Sequence, residues 1–100
     1  MPIINNFDFE NLKNEAEKFV LDELERQLAT ASGSVCHCSD CVLDMAAIAL
    51  NTVKPLYRVS LLGALYAAHA MDEKNYASTV RDAVYSAIKK VSKNPGHDIN

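Results

Sequence analysis

Cys36-His37-Cys38-Ser39-Asp40-Cys41-Val42-Leu43-Asp44-Met45-Ala46-Ala47-Ile48-Ala49-Leu50 decides how this chain folds. Its first six residues carry all three cysteines of the protein in the pattern C-x-C-x-x-C. Its remainder is apolar at nearly every position, with Asp44 the exception. Cysteines this crowded cannot build a disulfide framework, which needs separated partners. A turn leading into a helix can instead aim three thiolates at one point. The positive end of the helix dipole favours a thiolate at Cys41. Zinc takes four soft ligands at tetrahedral corners, with sulfur about 2.3 Å away, so one corner is left for a residue outside the cluster. The candidates are His37, His69, His97 and Asp44. His97 is favoured, because the turn Asn94-Pro95-Gly96 can fold the tail back over the site. Asp44, one turn after Cys41, suits a carboxylate that orients a ligand or one that pairs with a surface cation.

Helix two is read from about Cys41 to Val53, capped by Ser39 or Asp40. A helix apolar on most of its circumference is covered on more than one side. A 100-residue chain has few elements with which to do this, so a second copy is the expected cover. Upstream, Leu12, Ala16, Phe19, Val20, Leu24 and Leu28 recur at helical spacing and define helix one, from Asp8 to Ala31, about 35 Å long. Asn6 or Asp8 is its cap, Lys18–Asp22 and Asp22–Arg26 are pairs on its outer face, and Ser32-Gly33-Ser34 ends it. Downstream, Lys54-Pro55 breaks helix two and Leu56 to Val59 is extended. Ser60 caps a short helix three over Leu61–Ala70. After a joint at Met71-Asp72, Asp72 caps helix four, which runs to Lys93. Its stripe is Tyr76, Val80, Ala83, Val84, Ala87, Ile88 and Val91, and Lys89, Lys90 and Lys93 match the negative end of its dipole. The expected fold is therefore all-α: one compact four-helix domain over residues 1–100, with a zinc knuckle at the start of helix two, in an intertwined or face-to-face homodimer.

Composition narrows the function. Hydrophobic residues make up 49% of the chain against three glycines and three prolines, too apolar for disorder and too poor in turn formers for a β-sandwich. The net charge of −3 weighs against nucleic acid as the main partner. The charge is uneven: residues 1–50 hold nine acids and three bases, residues 51–100 four acids and seven bases. No apolar run reaches membrane length and Met1–Asn6 has no signal-peptide character, so the expected location is cytoplasmic, where thiols stay reduced. Neither a His-Glu-x-x-His pair nor a deaminase H-x-E with P-C-x-x-C occurs. A non-enzymatic binding module is thus preferred over a zinc hydrolase. A thiol redox switch at Cys38 and Cys41 is the main alternative.

The segment Cys36-x-Cys38-x-x-Cys41-x-x-Asp44-x-x-Ala47-x-Ala49-Leu50-Asn51, followed by Pro55 and Tyr57 and closed by Val91-x-x-Asn94-Pro95-x-His97, resembles the late competence development protein family ComFB. The resemblance implies an all-helical homodimer with one structural zinc per chain and no known enzymatic activity. It places the metal on Cys36, Cys38, Cys41 and His97. It also implies a role in bacterial competence, pilus or motility regulation through a protein partner. Some relatives bind cyclic di-GMP, which points to Lys54, Tyr57 and Arg58 as candidate contacts for a cyclic dinucleotide. Here the family's common Pro-Pro-Arg-Tyr is replaced by Pro55-Leu56-Tyr57-Arg58.

Overall fold

The computed structural model describes residues 5–31, 33, 35–72 and 74–95, without the side chains of 70–72 and 74. Among the described residues four helices carry the fold: α1 Ala16–Thr30, α2 Ser39–Thr52, α3 Leu61–Asp72 and α4 Lys74–Lys93. A single 3-10 turn, Phe9–Asn11, and two short strands, β1 Lys13–Asn14 and β2 Tyr57–Arg58, complete it. The core is built where α1, α2 and α4 meet. Val20 and Leu24 come from α1, Cys41, Met45 and Ala49 from α2, and Val80, Val84, Ala87 and Val91 from α4, all buried. Alanines at 46, 49, 83 and 87 let the backbones of α2 and α4, the most extensive pair, approach closely.

Helix one begins at Ala16 rather than Asp8. Its upstream residues are claimed by β2: Lys13 pairs with Arg58 and Asn14 with Tyr57, antiparallel, and the Glu15 amide donates to the Leu56 carbonyl at 2.8 Å. Tertiary pairing overrides the helical periodicity that continues through Leu12, and Leu12 is exposed rather than part of the buried stripe. The helix is correspondingly about 22 Å long. The cap also moves. Asp8 only accepts from the Asn11 side chain. Asn14 Oδ1 instead accepts from the Ala16 amide at 3.1 Å and from the Leu56 amide at 2.7 Å. One side-chain oxygen thus satisfies the first amide of α1, whose cap position, Glu15, makes no side-chain cap bond, and ties it to Leu56, the residue before β2.

On the outer face of α1, Arg26 pairs with Glu23 rather than Asp22. Two Arg26 N–H groups and the Gln27 amide donate to the Glu23 carboxylate. Hydrogen bonding from Arg26 holds that carboxyl below its usual range against the opposing effect of burial. Gln27 also donates to the Arg81 carbonyl at 3.1 Å, joining α1 to α4.

Helix α2 begins at Ser39, so the expected caps Ser39 and Asp40 lie inside its first turn and Cys38 holds the cap position. Its apolar circumference is mostly covered from within the chain by α1 and α4. Leu43 is its one large apolar side chain left exposed. The uncovered apolar helix is α3. Leu61, Leu62, Leu65 and Tyr66 are 60–78% exposed, and of its described side chains only Ala67 is buried. Ser60 caps it as expected, accepting from the Gly63 amide at 3.2 Å. It runs through Met71 to Asp72, so Asp72 is its last residue rather than the cap of α4. Tyr76 of α4 donates its hydroxyl to the Lys54 carbonyl at 2.7 Å and fixes the loop leaving α2.

Two substitutions test these joints. Asn14→Ala removes the acceptor of two part-buried amides and is expected to cost about 2 kcal/mol in chemical denaturation. Asn14→Asp, which keeps the oxygen, should recover most of it. Gly63→Ala would gain about 1 kcal/mol of helix propensity in an open helix. Here a Cβ at 63 would lie 2.6 Å from the Arg58 Cβ, so the melting temperature is expected to fall. A rise would show that α3 does not lean on β2.

Candidate metal centre

The sulfurs of Cys36, Cys38 and Cys41 lie within 4.8 Å of one another. The positioning is local. Cys38 sits in extended conformation at the cap of α2 (φ −71°, ψ 162°). Its Sγ accepts from the Cys41 amide at 3.4 Å, and its carbonyl accepts from the Val42 amide at 3.0 Å. Cys36 approaches from the extended segment before the cap, and Cys41, one turn into the helix, points into the core. The three sulfurs therefore span the full range of exposure: Cys38 exposed, Cys36 half-buried, Cys41 wholly buried.

Two of the three thiols are shifted, for different reasons. Hydrogen bonding from the Cys38 backbone, then from the Cys38 and Cys41 side chains, pulls the Cys36 thiol below its ordinary value. Burial, reinforced by the two neighbouring sulfurs, pushes Cys41 up to about 12. The two neighbouring thiols are thus shifted in opposite directions. A divalent cation reverses this balance by displacing the protons. The donor set fits such an ion. Thiolates about 2.3 Å from a tetrahedral metal stand about 3.8 Å apart, so closure asks for a contraction of at most about 1 Å.

Among the described residues, no histidine nitrogen or carboxylate oxygen joins the three sulfurs within that distance of them all. His37 lies instead on a shallow apolar groove beside Leu21, Leu24 and Leu28 of α1. Asp44 and Asn51 are exposed on α2, and His69 is exposed on α3. His97 lies outside the described residues.

The family pattern of the late competence development protein ComFB matches residues 13–95. The chain belongs to the ComFB family. Among solved structures, the late competence protein ComFB from Bacillus subtilis superposes with a TM-score of 0.72 at 24% identity, over 85% of this chain and 92% of that one. No curated protein sequence matches the chain. The all-helical fold is therefore that of the ComFB family, and its three cysteines form a group able to hold a metal ion. No helix among the described residues is long and apolar enough to cross a membrane.

The residues suggested for a cyclic dinucleotide lie on β2 and the loop before it. Arg58 and Tyr57 are neighbours in β2, so their side chains leave on opposite faces. Tyr57 is exposed, whereas the Arg58 guanidinium pairs with the Glu15 carboxylate at the start of α1. Lys54 is exposed on the loop whose carbonyl Tyr76 holds. Two structural roles were invisible in the sequence. Nothing in the local pattern of Asn14 announces a strand partner forty-two residues on, and Cys38 reads as a ligand before it reads as a cap.

In the metal-loaded protein at about pH 8, near the ordinary thiol range, iodoacetamide is expected to modify Cys38 and Cys36 before Cys41. Peptide mass mapping over time reads the order. Labelling of Cys41 at the rate of the other two would contradict its burial.

Proposed function

We propose that this ComFB-family chain is a non-catalytic regulatory module of the competence system, closed by one structural zinc per chain and active as a homodimer. The convergence of three sulfurs at the start of α2 carries the reading. Three thiolates suit zinc in a site that ties a turn to a helix. Cys41 is fully buried and is itself part of the hydrophobic core, which supports an ion that holds the fold rather than one that meets substrate. In this reading Cys36, Cys38, Cys41 and His97 hold the zinc, which neutralises the thiolates and fixes the cap of α2 against the tail.

The shape of the chain supports the dimer. Its radius of gyration is 15.8 Å and its thinnest dimension 18 Å, whereas a compact 100-residue domain has a radius near 13 Å. One element buries little within the chain: α3, with Leu61, Leu62, Leu65 and Tyr66 exposed next to Val59. Contiguous exposed apolar surface of this kind marks an interaction site, covered in this reading by the same surface of a second copy. A self-complementary contact closes as a two-fold pair and leaves no further sticky face.

Native mass spectrometry tests both parts. The expected species is two chains with two zinc ions. Cys41→Ser should lose the metal and destabilise the fold heavily, because structural zinc supplies on the order of 10 kcal/mol that is also folding energy. His97→Ala should weaken zinc binding, and His37→Ala should not. Leu62→Glu with Leu65→Glu should yield zinc-loaded single chains. A metal-free folded monomer of the unaltered sequence would refute the reading.

A further inference from the structure

We propose that the open groove between the C-terminal half of α1 and one face of α4 binds a phosphate ester carrying a flat ring. Arg81, Lys89 and Lys93 would meet the phosphate, and Tyr85 would stack on the ring. The groove holds about 750 Å³, within the range of small-molecule sites. Its α4 wall is a single helical face, because positions 81, 85, 88–89 and 92–93 recur at three- and four-residue spacing.

The charge of this face is only partly accounted for by the fold: Glu23 of α1, hydrogen-bonded to Arg26, also attracts Arg81, while Lys89 and Lys93 meet no carboxylate in an ion pair among the described residues. Arg26 also lines the groove, but its guanidinium is engaged by Glu23. Arg81, Lys89 and Lys93 form no ion pair among the described residues, where the pairs are Arg26–Glu23 and Arg58–Glu15. One carboxylate, Asp82, shares the groove with these cations. Lysines near a helix C-terminus are often explained by the dipole alone. That account does not reach Arg81, the eighth residue of a twenty-residue helix, because the dipole acts over the last turn. It also does not explain why Lys89 and Lys93 share the groove with Arg81 while Lys90 does not.

The other features suit a ligand that is more than an anion. Tyr85 is 59% exposed in the middle of the cationic face, and the Lys89 Nζ lies 5.3 Å from its ring centroid. A flat ring on Tyr85 would therefore have its phosphate beside the cations. The Ser92 hydroxyl, which also belongs to this groove, is buried with no hydrogen-bond partner among the described residues. A ligand oxygen or a water is the natural complement of such a group. Val35 and Ile88 supply apolar wall. The site depends on neither the proposed zinc nor the proposed dimer, and it is separate from Lys54, Tyr57 and Arg58.

Isothermal titration of the metal-loaded full chain at low salt, with ADP and with inorganic pyrophosphate as probes, tests this. ADP is expected to bind about fivefold or more tightly than pyrophosphate, the contribution of one aromatic stack. Arg81→Gln with Lys89→Gln should weaken both by about tenfold or more, as expected for lost charge-assisted hydrogen bonds. Tyr85→Leu should abolish the advantage of ADP and leave pyrophosphate unchanged, and Lys54→Gln should change neither. The residues replaced are exposed, and circular dichroism confirms that each variant is folded. Three results overturn the proposal: no binding of either probe below about 1 mM, equal affinities for the two, or a double variant that binds as the parent does.

Discussion

The structure depends on a conflict at Cys41. This residue is fully buried in the cluster that joins α1, α2 and α4, and it is also one of three sulfurs converging within 4.8 Å. As a core residue it is stable as a neutral thiol, and burial raises its pKa to about 12. As a metal ligand it has to be a thiolate. The two demands are reconciled only if the charge is neutralised at the sulfur itself, which a divalent cation does and a surface lysine cannot. With the proposed ion bound, core packing and the state of the thiol cluster would be one equilibrium rather than two.

The same coupling explains why Cys38 caps α2. Ser, Thr, Asp and Asn are the usual N-cap residues because a side-chain oxygen accepts from an early amide. Sulfur is a weaker acceptor, and the Cys38 contact to the Cys41 amide is correspondingly long at 3.4 Å. A thiolate accepts more strongly than a thiol. The cap therefore strengthens in the state in which the sulfurs carry charge, and Asp40 in the first turn already complements the helix dipole. Helix start and thiol cluster support each other through one amide.

Periodicity made much of this legible. The stripe of α4 from Val80 to Val91 is buried as read, and so are Val20 and Leu24 of α1. The position of Ser60 at the start of α3 and the cysteine trio also followed from spacing. What was not legible depended on distant partners. Residues 9–14 have helical periodicity, yet 9–11 form a separate 3-10 turn and Lys13, Asn14 and the Glu15 amide are taken by residues 56–58, where the signal for that pairing lay. The covering of α2 was misjudged for a similar reason. A sequence shows how much apolar surface a helix offers but not which neighbours supply the cover. In this chain α1 and α4 spend their apolar stripes on α2, and α3 is left with Leu61, Leu62, Leu65 and Tyr66 in the open.

That distribution links shape to charge. With α3 unburied, the chain is flat, 47 × 37 × 18 Å, and flat chains present two kinds of surface. The α3 region is apolar and nearly without charge: across Leu61–Ala68 there is no ionisable side chain except Tyr66. The α1–α4 groove gathers cations from the basic half of the sequence. Apolar contact is favoured by area and insensitive to salt, whereas a cationic groove attracts anions and weakens as ionic strength rises. Association through α3 and ligand capture on α4 would then respond to different conditions. Because Val35 of the groove directly precedes Cys36, whatever occupies the groove also rests against the segment that delivers the first sulfur.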